Sequence, residues 1–269
     1  MTVSGSGPSG ASGVPDLTGQ VVIVTGGARG IGRGIAAGFL AAGADVTICG
    51  RSEPEAVPAV NGRAATFVAA DVREPDDVER VVSETVSRSG RIDVLVNNAG
   101  GSPPADSATA SPRFSRAIVE LNLIAPLVFS QQVNAVMQNQ ETGGSIVNIA
   151  SVSGTRPNPG SAAYGAAKAG LLNLTATLAV DFAPRVRVNA VTAGLIVTEQ
   201  AHLFYGDEEG IAAVAATVPL GRMGTPDDVA GVCLFLASPL AAYVSGANIL
   251  VHGGGERPAY RDAAKNTSA

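Results

Sequence analysis

The sequence predicts a doubly wound α/β fold, with one parallel sheet and helices on both of its faces. Three observations predict it. Strand-like runs rich in Val and Ile alternate with helical stretches along the chain. Those runs are continuously apolar rather than alternating, as strands covered on both faces are. A glycine-rich turn follows the first run and opens directly into a helix. The 269 residues show no repeat period and no interior linker, and a single α/β domain accommodates that length.

The elements follow in order. "VVIVT" (21–25) is the first strand, and the run "IGRGIAAGFLAAG" (31–43) after the turn is the first helix. Strands "DVTIC" (45–49) and "ATFVAAD" (65–71) precede a charged helix over 74–90. Strand "IDVLVNNAG" (92–100) leads to a long helical stretch over 112–140. "SIVNIAS" (145–151), a helix over 161–182, "VRVNAV" (186–191), a helix over 226–237 and "NILVHGG" (248–254) complete the pattern. The opening "MTVSGSGPSGASGVPD" (1–16) reads as a disordered Gly/Ser/Pro tail and not as a secretory signal, since it lacks Lys, Arg and an apolar stretch. Residues 17–255 form the domain, and 256–269 are a C-terminal tail expected to fray.

Composition removes several function classes. A formal net charge of -5 argues against nucleic acid or an anionic membrane as a partner, because both attract basic surfaces. Cys49 and Cys233 lie far apart without a CxxC, so a disulfide framework is not expected and a reducing, cytoplasmic setting is. His202 and His252 do not combine with these cysteines at any usual zinc spacing, so no metal is expected. No apolar run reaches the length of a membrane span.

The turn "TGGARGIG" places Gly26, Gly30 and Gly32 right after the first strand. A chain that reverses tightly, lets its backbone approach a diphosphate and offers free helix N–H groups needs residues without a Cβ. This context predicts dinucleotide binding. An acid at the end of the second strand would accept from both ribose hydroxyls and repel a 2′-phosphate. Here Gly50 stands there and Arg51 follows, with Arg29 inside the turn. Two guanidiniums suit a phosphate, so NADP(H) is favoured and NAD(H) is the alternative. The plainer reading of both arginines is solvated surface.

Tyr164 and Lys168 in "YGAAK" are four apart and share a helical face. An ammonium beside a phenol favours the phenolate and is expected to lower its pKa from about 10 toward the working range of an acid–base catalyst. The residues between them, Gly165, Ala166 and Ala167, leave room for ligands against the helix. The remainder, "LLNLTATLAV", is apolar on nearly every face and calls for cover on more than the sheet side.

Taken together, "TGGARGIG" at 25–32, "NNAG" at 97–100, Asn122 in "ELNLIAP", Ser151 in "IVNIASVSG", "YGAAK" at 164–168 and "GRMGTPDDVA" at 221–230 resemble the classical short-chain dehydrogenase/reductase family, in its order and over residues 18–255. The resemblance implies a single-domain Rossmann-type sheet of about seven strands and a hydride-transfer site at the strands' carboxyl ends. It implies a catalytic set of Asn122, Ser151, Tyr164 and Lys168. Lys168 would also bind the nicotinamide ribose, Ser151 the substrate oxygen, and Asn122 a water leading to Lys168. Implied cofactor contacts are Gly26, Arg29, Gly30, Ile31, Gly32 and Arg51 around the phosphates; Asp71 and Val72 at the adenine; Asn98, Ala99 and Gly100 at the ribose; Tyr164, Lys168, Gly194 and Ile196; and Thr198 at the carboxamide. Homotetramer assembly through the 112–140 and 161–182 helices is implied as well.

Three positions depart from the family pattern: Ala193 replaces a usual Pro before Gly194, Ala150 a common Ser, and His252 a frequent Asp. His252 reads as a structural or interface side chain without chemistry. Substrate walls are expected from 101–111, 153–161 and 195–210, with Leu195, Ile196, Leu203, Phe204 and Tyr205 as apolar surface. Arg156 is a candidate for an anion, a solvated position being the plainer reading. The expected activity is hydride transfer between NADP(H) and a small-molecule carbonyl or secondary alcohol, a hydrophobic ketone or 3-oxoacyl thioester. Residues 131–145 hold no Lys or Arg to dock an acidic carrier, although Arg185 is near in sequence. The competing reading is an NADP(H)-binding sensor or scaffold without turnover.

Overall fold

A computed structural model describes residues 15–256 together with Gly13, Tyr260 and Ala264. The tail expectations for 1–14 and 257–269 otherwise lie outside the described residues. The chain runs β1 (Val21–Thr25), α1 (Gly30–Ala41), β2 (Asp45–Gly50), a short hairpin of β3 (Ala59–Val60) and β4 (Arg63–Ala64), β5 (Thr66–Ala69), α2 (Pro75–Ser89) and β6 (Val94–Asn97). It continues through α3 (Pro112–Val119), a π-helical turn (Glu120–Ile124), α4 (Ala125–Met137), β7 (Gly144–Ser151), α5 (Ala162–Asp181) and β8 (Val186–Ala193). Two helices, α6 (His202–Tyr205) and α7 (Glu208–Thr217), precede α8 (Pro226–Ala237) and β9 (Asn248–Val251).

The main sheet has seven strands in the order β5-β2-β1-β6-β7-β8-β9, with every neighbouring pair parallel. The order reverses between β1 and β6, and such a switch point opens a crevice at the strands' carboxyl ends. Alternation of side chains along each strand fills both faces. Val22 and Val24 point into one core with Ile35 and Phe39 of α1 and Val229 and Leu234 of α8. Ile23 points into the other with Val78 and Val81 of α2, Phe129 and Val133 of α4, and Leu178 of α5.

Helix ends show why the chain turns where it does. Thr225 and Asp228 form a reciprocal capping box at the start of α8, with Pro226 in its first turn. Ser111 caps α3 through the Phe114 N–H. Gly90 ends α2 in the left-handed conformation. Three features depart from the sequence expectation: the β3–β4 hairpin, the π-helical turn inside 112–140, and two helices that begin within 195–210, where loop was expected.

Candidate active site

The glycine turn sits at the carboxyl end of β1, where Gly26 and Gly30 adopt φ of 65° and 53°, backbone that side chains disfavour. The Thr25 hydroxyl accepts the N–H groups of Asn98 and Ala99, each at 2.9 Å. Asn98 Nδ2 donates back to Thr25 O at 2.9 Å and Gly26 O at 3.3 Å. The "NNAG" segment after β6 is thereby fastened to the turn. A Cβ on Gly32 would lie 2.3 Å from Gly26 O and 2.4 Å from Asn98 Nδ2, so the cradle closes around any larger residue. Ile31 packs against the α1–α8 core.

This turn accepts an anion in the structure itself. Gly30 N donates to Glu199 Oε1 at 2.8 Å, a carboxylate on the first amide of α1, as expected where helix N–H groups and the dipole's positive end coincide. The donor set therefore fits a dinucleotide diphosphate. Thr198 reaches over the turn, with Cγ2 3.7 Å from where a Gly30 Cβ would stand. Ala193 ends β8 paired with Val251 and is buried, and Gly194 N donates to Val251 O at 2.9 Å. The β8–β9 ladder thus holds this segment without the proline. His252 packs directly beside Gly194, where a Cβ would come within 2.6 Å of its own. Ile196 is buried and bridges to Gly224.

Of the other residues implied as cofactor contacts, Arg29 and Arg51 are exposed, Val72 is buried in the second core, and Asp71 is claimed by its neighbour. Arg73 donates to both Asp71 oxygens, from Nε at 2.9 Å and Nη2 at 2.5 Å. That hydrogen bond, foremost, holds the Asp71 carboxyl below its ordinary range, with a smaller contribution from the nearby Arg51 charge. Arg51 is thus near enough for its charge to act on Asp71, while the Arg73 grip on Asp71 was not anticipated.

The four candidate catalytic residues converge from three elements. Ser151 ends β7, Asn122 lies in the π-helical turn, and Tyr164 and Lys168 lie on α5. Close packing brings them together: a Cβ on Gly165 would meet Ser153 O at 2.7 Å, and one on Gly154 would meet the Lys168 backbone at 2.7 Å. The Ser151 side chain is consequently close enough to act on the Tyr164 phenol. Lys168 Nζ lies 5.7 Å from the Tyr164 ring centroid and donates to Ile149 O at 2.7 Å. Asn122 is fully buried. Its Oδ1 accepts Gly101 N at 2.9 Å, and its Nδ2 donates to Gly101 O and Ile118 O, each at 2.9 Å. Asn122 and Lys168 meet around Gly100, where a Cβ would stand 2.7 Å from Asn122 Oδ1 and 3.4 Å from Lys168 Nζ.

Electrostatics corrects one expectation. Spacing alone predicted a phenol pulled down by the ammonium. Burial instead raises the Tyr164 pKa, the Ser151 side chain opposing it, and burial brings Lys168 down to about 8. Tyr164 is thus held as a neutral phenol, a proton donor, at neutral pH.

Two of the three segments expected as walls, 101–111 and 153–161, contribute to a cavity at this centre. This cavity of about 40 Å³ beside Tyr164 is lined by Ser102, Ala105, Phe114, Gly160 and Ala163, among others. Leu203 is exposed, and the Phe204 side chain lies outside the described residues. Arg156 is partly exposed and pairs with Glu256, and both charges act on the partly buried Tyr205, whose phenol is raised chiefly by burial. Sequence reasoning missed Thr25 and a buried polar chain behind the site. In that chain Asn97 Nδ2 donates to Ser130 Oγ at 3.0 Å and Asn148 Oδ1 at 2.9 Å, and Asn148 Nδ2 donates to Thr175 Oγ1 at 2.9 Å. An Asn within each of two Val/Ile strands was the available signal, since Asn is depleted in strands.

Comparison with known proteins agrees with this geometry. The family model described as "Enoyl-(Acyl carrier protein) reductase" matches residues 26–256. A 3-oxoacyl-[acyl-carrier-protein] reductase of a Synechocystis strain is 38% identical over 246 residues, covering 88% of this chain and 97% of the relative. An L-fucose dehydrogenase of Bos taurus is 37% identical over 252 residues, covering 88% and 90%. The ligand-free aldohexose dehydrogenase of Thermoplasma acidophilum superposes with a TM-score of 0.84 at 31% identity, covering 96% of this chain and all of that one. With a parallel Rossmann-type sheet, the glycine turn and the Ser151–Tyr164–Lys168 cluster in place, the chain belongs to the short-chain dehydrogenase/reductase family of oxidoreductases.

Proposed function

We propose that the protein is an NADP(H)-dependent reductase or dehydrogenase that interconverts a small-molecule carbonyl and its secondary alcohol. The observation that carries this reading is the Tyr164 phenol set beside the Ser151 side chain with Lys168 buried beneath its ring. A bound nicotinamide dinucleotide supplies the hydride. The protein's own residues supply the rest. Gly26, Gly30, Gly32 and the segment Asn98–Gly100 admit the dinucleotide, and Arg51 and Arg29 favour its 2′-phosphate. Ser151 and Tyr164 donate to the substrate oxygen, where negative charge grows during reduction, and Tyr164 gives up its proton there. Lys168 uses one of its three donors on Ile149 O, which leaves others for the ribose and for restoring the phenol's proton. Asn122 holds Gly101 and the π-helical turn in register behind them, and we assign it the relay water.

The substrate side favours a hydrophobic ketone or a 3-oxoacyl group. Its nearest lining is Ala, Gly, Ser and Phe114, and the nearby Arg156 charge is already matched by Glu256. Carrier docking has two basic groups to draw on near the end of α4, since Arg185 Nη1 donates to Gln140 O and Arg91 Nη2 to Thr142 Oγ1, each at 2.9 Å. We place the protein in the cytoplasm, in keeping with two buried free thiols, and we propose a homotetramer in which a second copy covers the outer side of α5, where Val180 is exposed. No helix among the described residues is long and apolar enough to cross a membrane. The test is NADPH and NADH absorbance with a panel of acyl thioesters, steroids, sugars and simple ketones. Consumption of NADPH with one class supports the proposal. Tight NADPH binding without consumption across the panel would replace it with the sensor or scaffold reading.

A further inference from the structure

We propose that Glu199 is a built-in occupant of the diphosphate site, so that dinucleotide binding expels it and moves the segment after β8 in the same event. The proposal rests on the dinucleotide reading above. Glu199 Oε1 accepts from Gly30 N at 2.8 Å, the first residue of α1. This is not a local helix cap: the two residues are 169 positions apart. The helix has nothing of its own there, since Arg29 offers no side-chain cap and no acidic residue lies in the first turn. A carboxylate oxygen and a phosphate oxygen are the same kind of acceptor for that N–H, they carry the same sign of charge, and they exclude each other.

The segment is built to move as a piece. Its base is fixed, because Val197 N donates to Gly224 O at 2.8 Å and Ile196 bridges to Gly224. Beyond it, Thr198 leans on Gly30, Ala201 N donates to Thr198 O at 2.9 Å, and Tyr205 N donates to Ala201 O at 2.9 Å. Glu199 is exposed, so its departure requires no unpacking of core. The same short segment carries Leu203 and Tyr205, substrate-side surface. Glu199 is therefore a determinant of cofactor affinity and the point at which cofactor binding reshapes the substrate wall.

The experiment titrates NADPH, ADP-ribose and 2′-AMP against the full-length wild type, Glu199→Gln and Glu199→Ala by calorimetry, with melting curves to confirm folding. Glu199→Gln keeps the side chain's shape and serves if the alanine variant does not fold. NADPH and ADP-ribose, which carry a diphosphate, are expected to bind the variants roughly three- to tenfold tighter, while 2′-AMP, which carries none, binds unchanged. Hydrogen exchange at 198–205 in the wild type is expected to change on adding NADPH. Unchanged or weaker NADPH binding by a folded variant overturns the proposal and makes Glu199 a structural cap. An equal gain for 2′-AMP also overturns it, because the effect is then general charge. If no ligand binds the wild type, the dinucleotide reading itself fails and takes this proposal with it.

Discussion

Replacing Lys168 with Met should change how stability depends on pH, and the structure sets the size of the effect. Lys168 is 3% exposed, and burial brings its pKa from 10.5 to about 8. Between those values the unfolded chain binds the lysine's proton and the folded one does not, so this group makes stability rise with pH across the window. Below about pH 8 both states are protonated, and the folded protein carries the full cost of a buried ammonium. At about 1.36 kcal/mol per pKa unit that cost is on the order of 3 kcal/mol. The hydrogen bond to Ile149 O offsets about 1 to 2 kcal/mol of it. Lys168→Met should therefore be the more stable protein at neutral pH, by about 1 to 2 kcal/mol in urea denaturation. Its advantage should shrink and then reverse as pH rises from 8 toward 10.5, because the buried-charge cost is lost there while Met still leaves Ile149 O without its donor. Cys49 and Cys233, pushed up to about 12 by burial, penalise folding above their ordinary range in both proteins and cancel in the difference. A variant-minus-wild-type difference that stays flat across this window would refute the reasoning.

Three further outcomes are expected. Arg51→Ala should weaken NADPH binding about tenfold and leave NADH binding within about twofold, measured by fluorescence titration. Gly32→Ala should abolish dinucleotide binding and cost about 1 to 3 kcal/mol of stability, since its new methyl would overlap Gly26 O and Asn98 Nδ2. Asn122→Ala should lower stability by at least about 2 kcal/mol in urea denaturation, because it strands Gly101 N, Gly101 O and Ile118 O.

Much of this architecture was legible because the relevant signals are local. Continuous Val/Ile runs identified the seven sheet strands, and the Gly26–Gly32 spacing marked the turn. Four-residue spacing put Tyr164 and Lys168 on one face of α5. What escaped depends on tertiary surroundings or on small energy differences. Glu120–Ile124 reads as ordinary helix, and only the Asn122 side chain, filling the gap with its bonds to Gly101 and Ile118, shows why the backbone widens there. The β3–β4 hairpin had a cue in Asn61–Gly62, both at positive φ, which is the mirror-image turn such hairpins favour. The direction of the Tyr164 shift was misread because spacing reports a neighbour's charge but not the burial of both groups. The Arg156–Glu256 pair and the Glu199–Gly30 contact span 100 and 169 residues, beyond any local pattern.

The central claim is that the Tyr164 phenol moves the proton while hydride crosses the cleft beside it. Its most direct test is NADPH consumption with an accepted ketone by wild type and Tyr164→Phe, alongside NADPH affinity for each. The account predicts turnover lower by at least about 100-fold in the variant with NADPH affinity within about threefold. Equal consumption by the two proteins would contradict it.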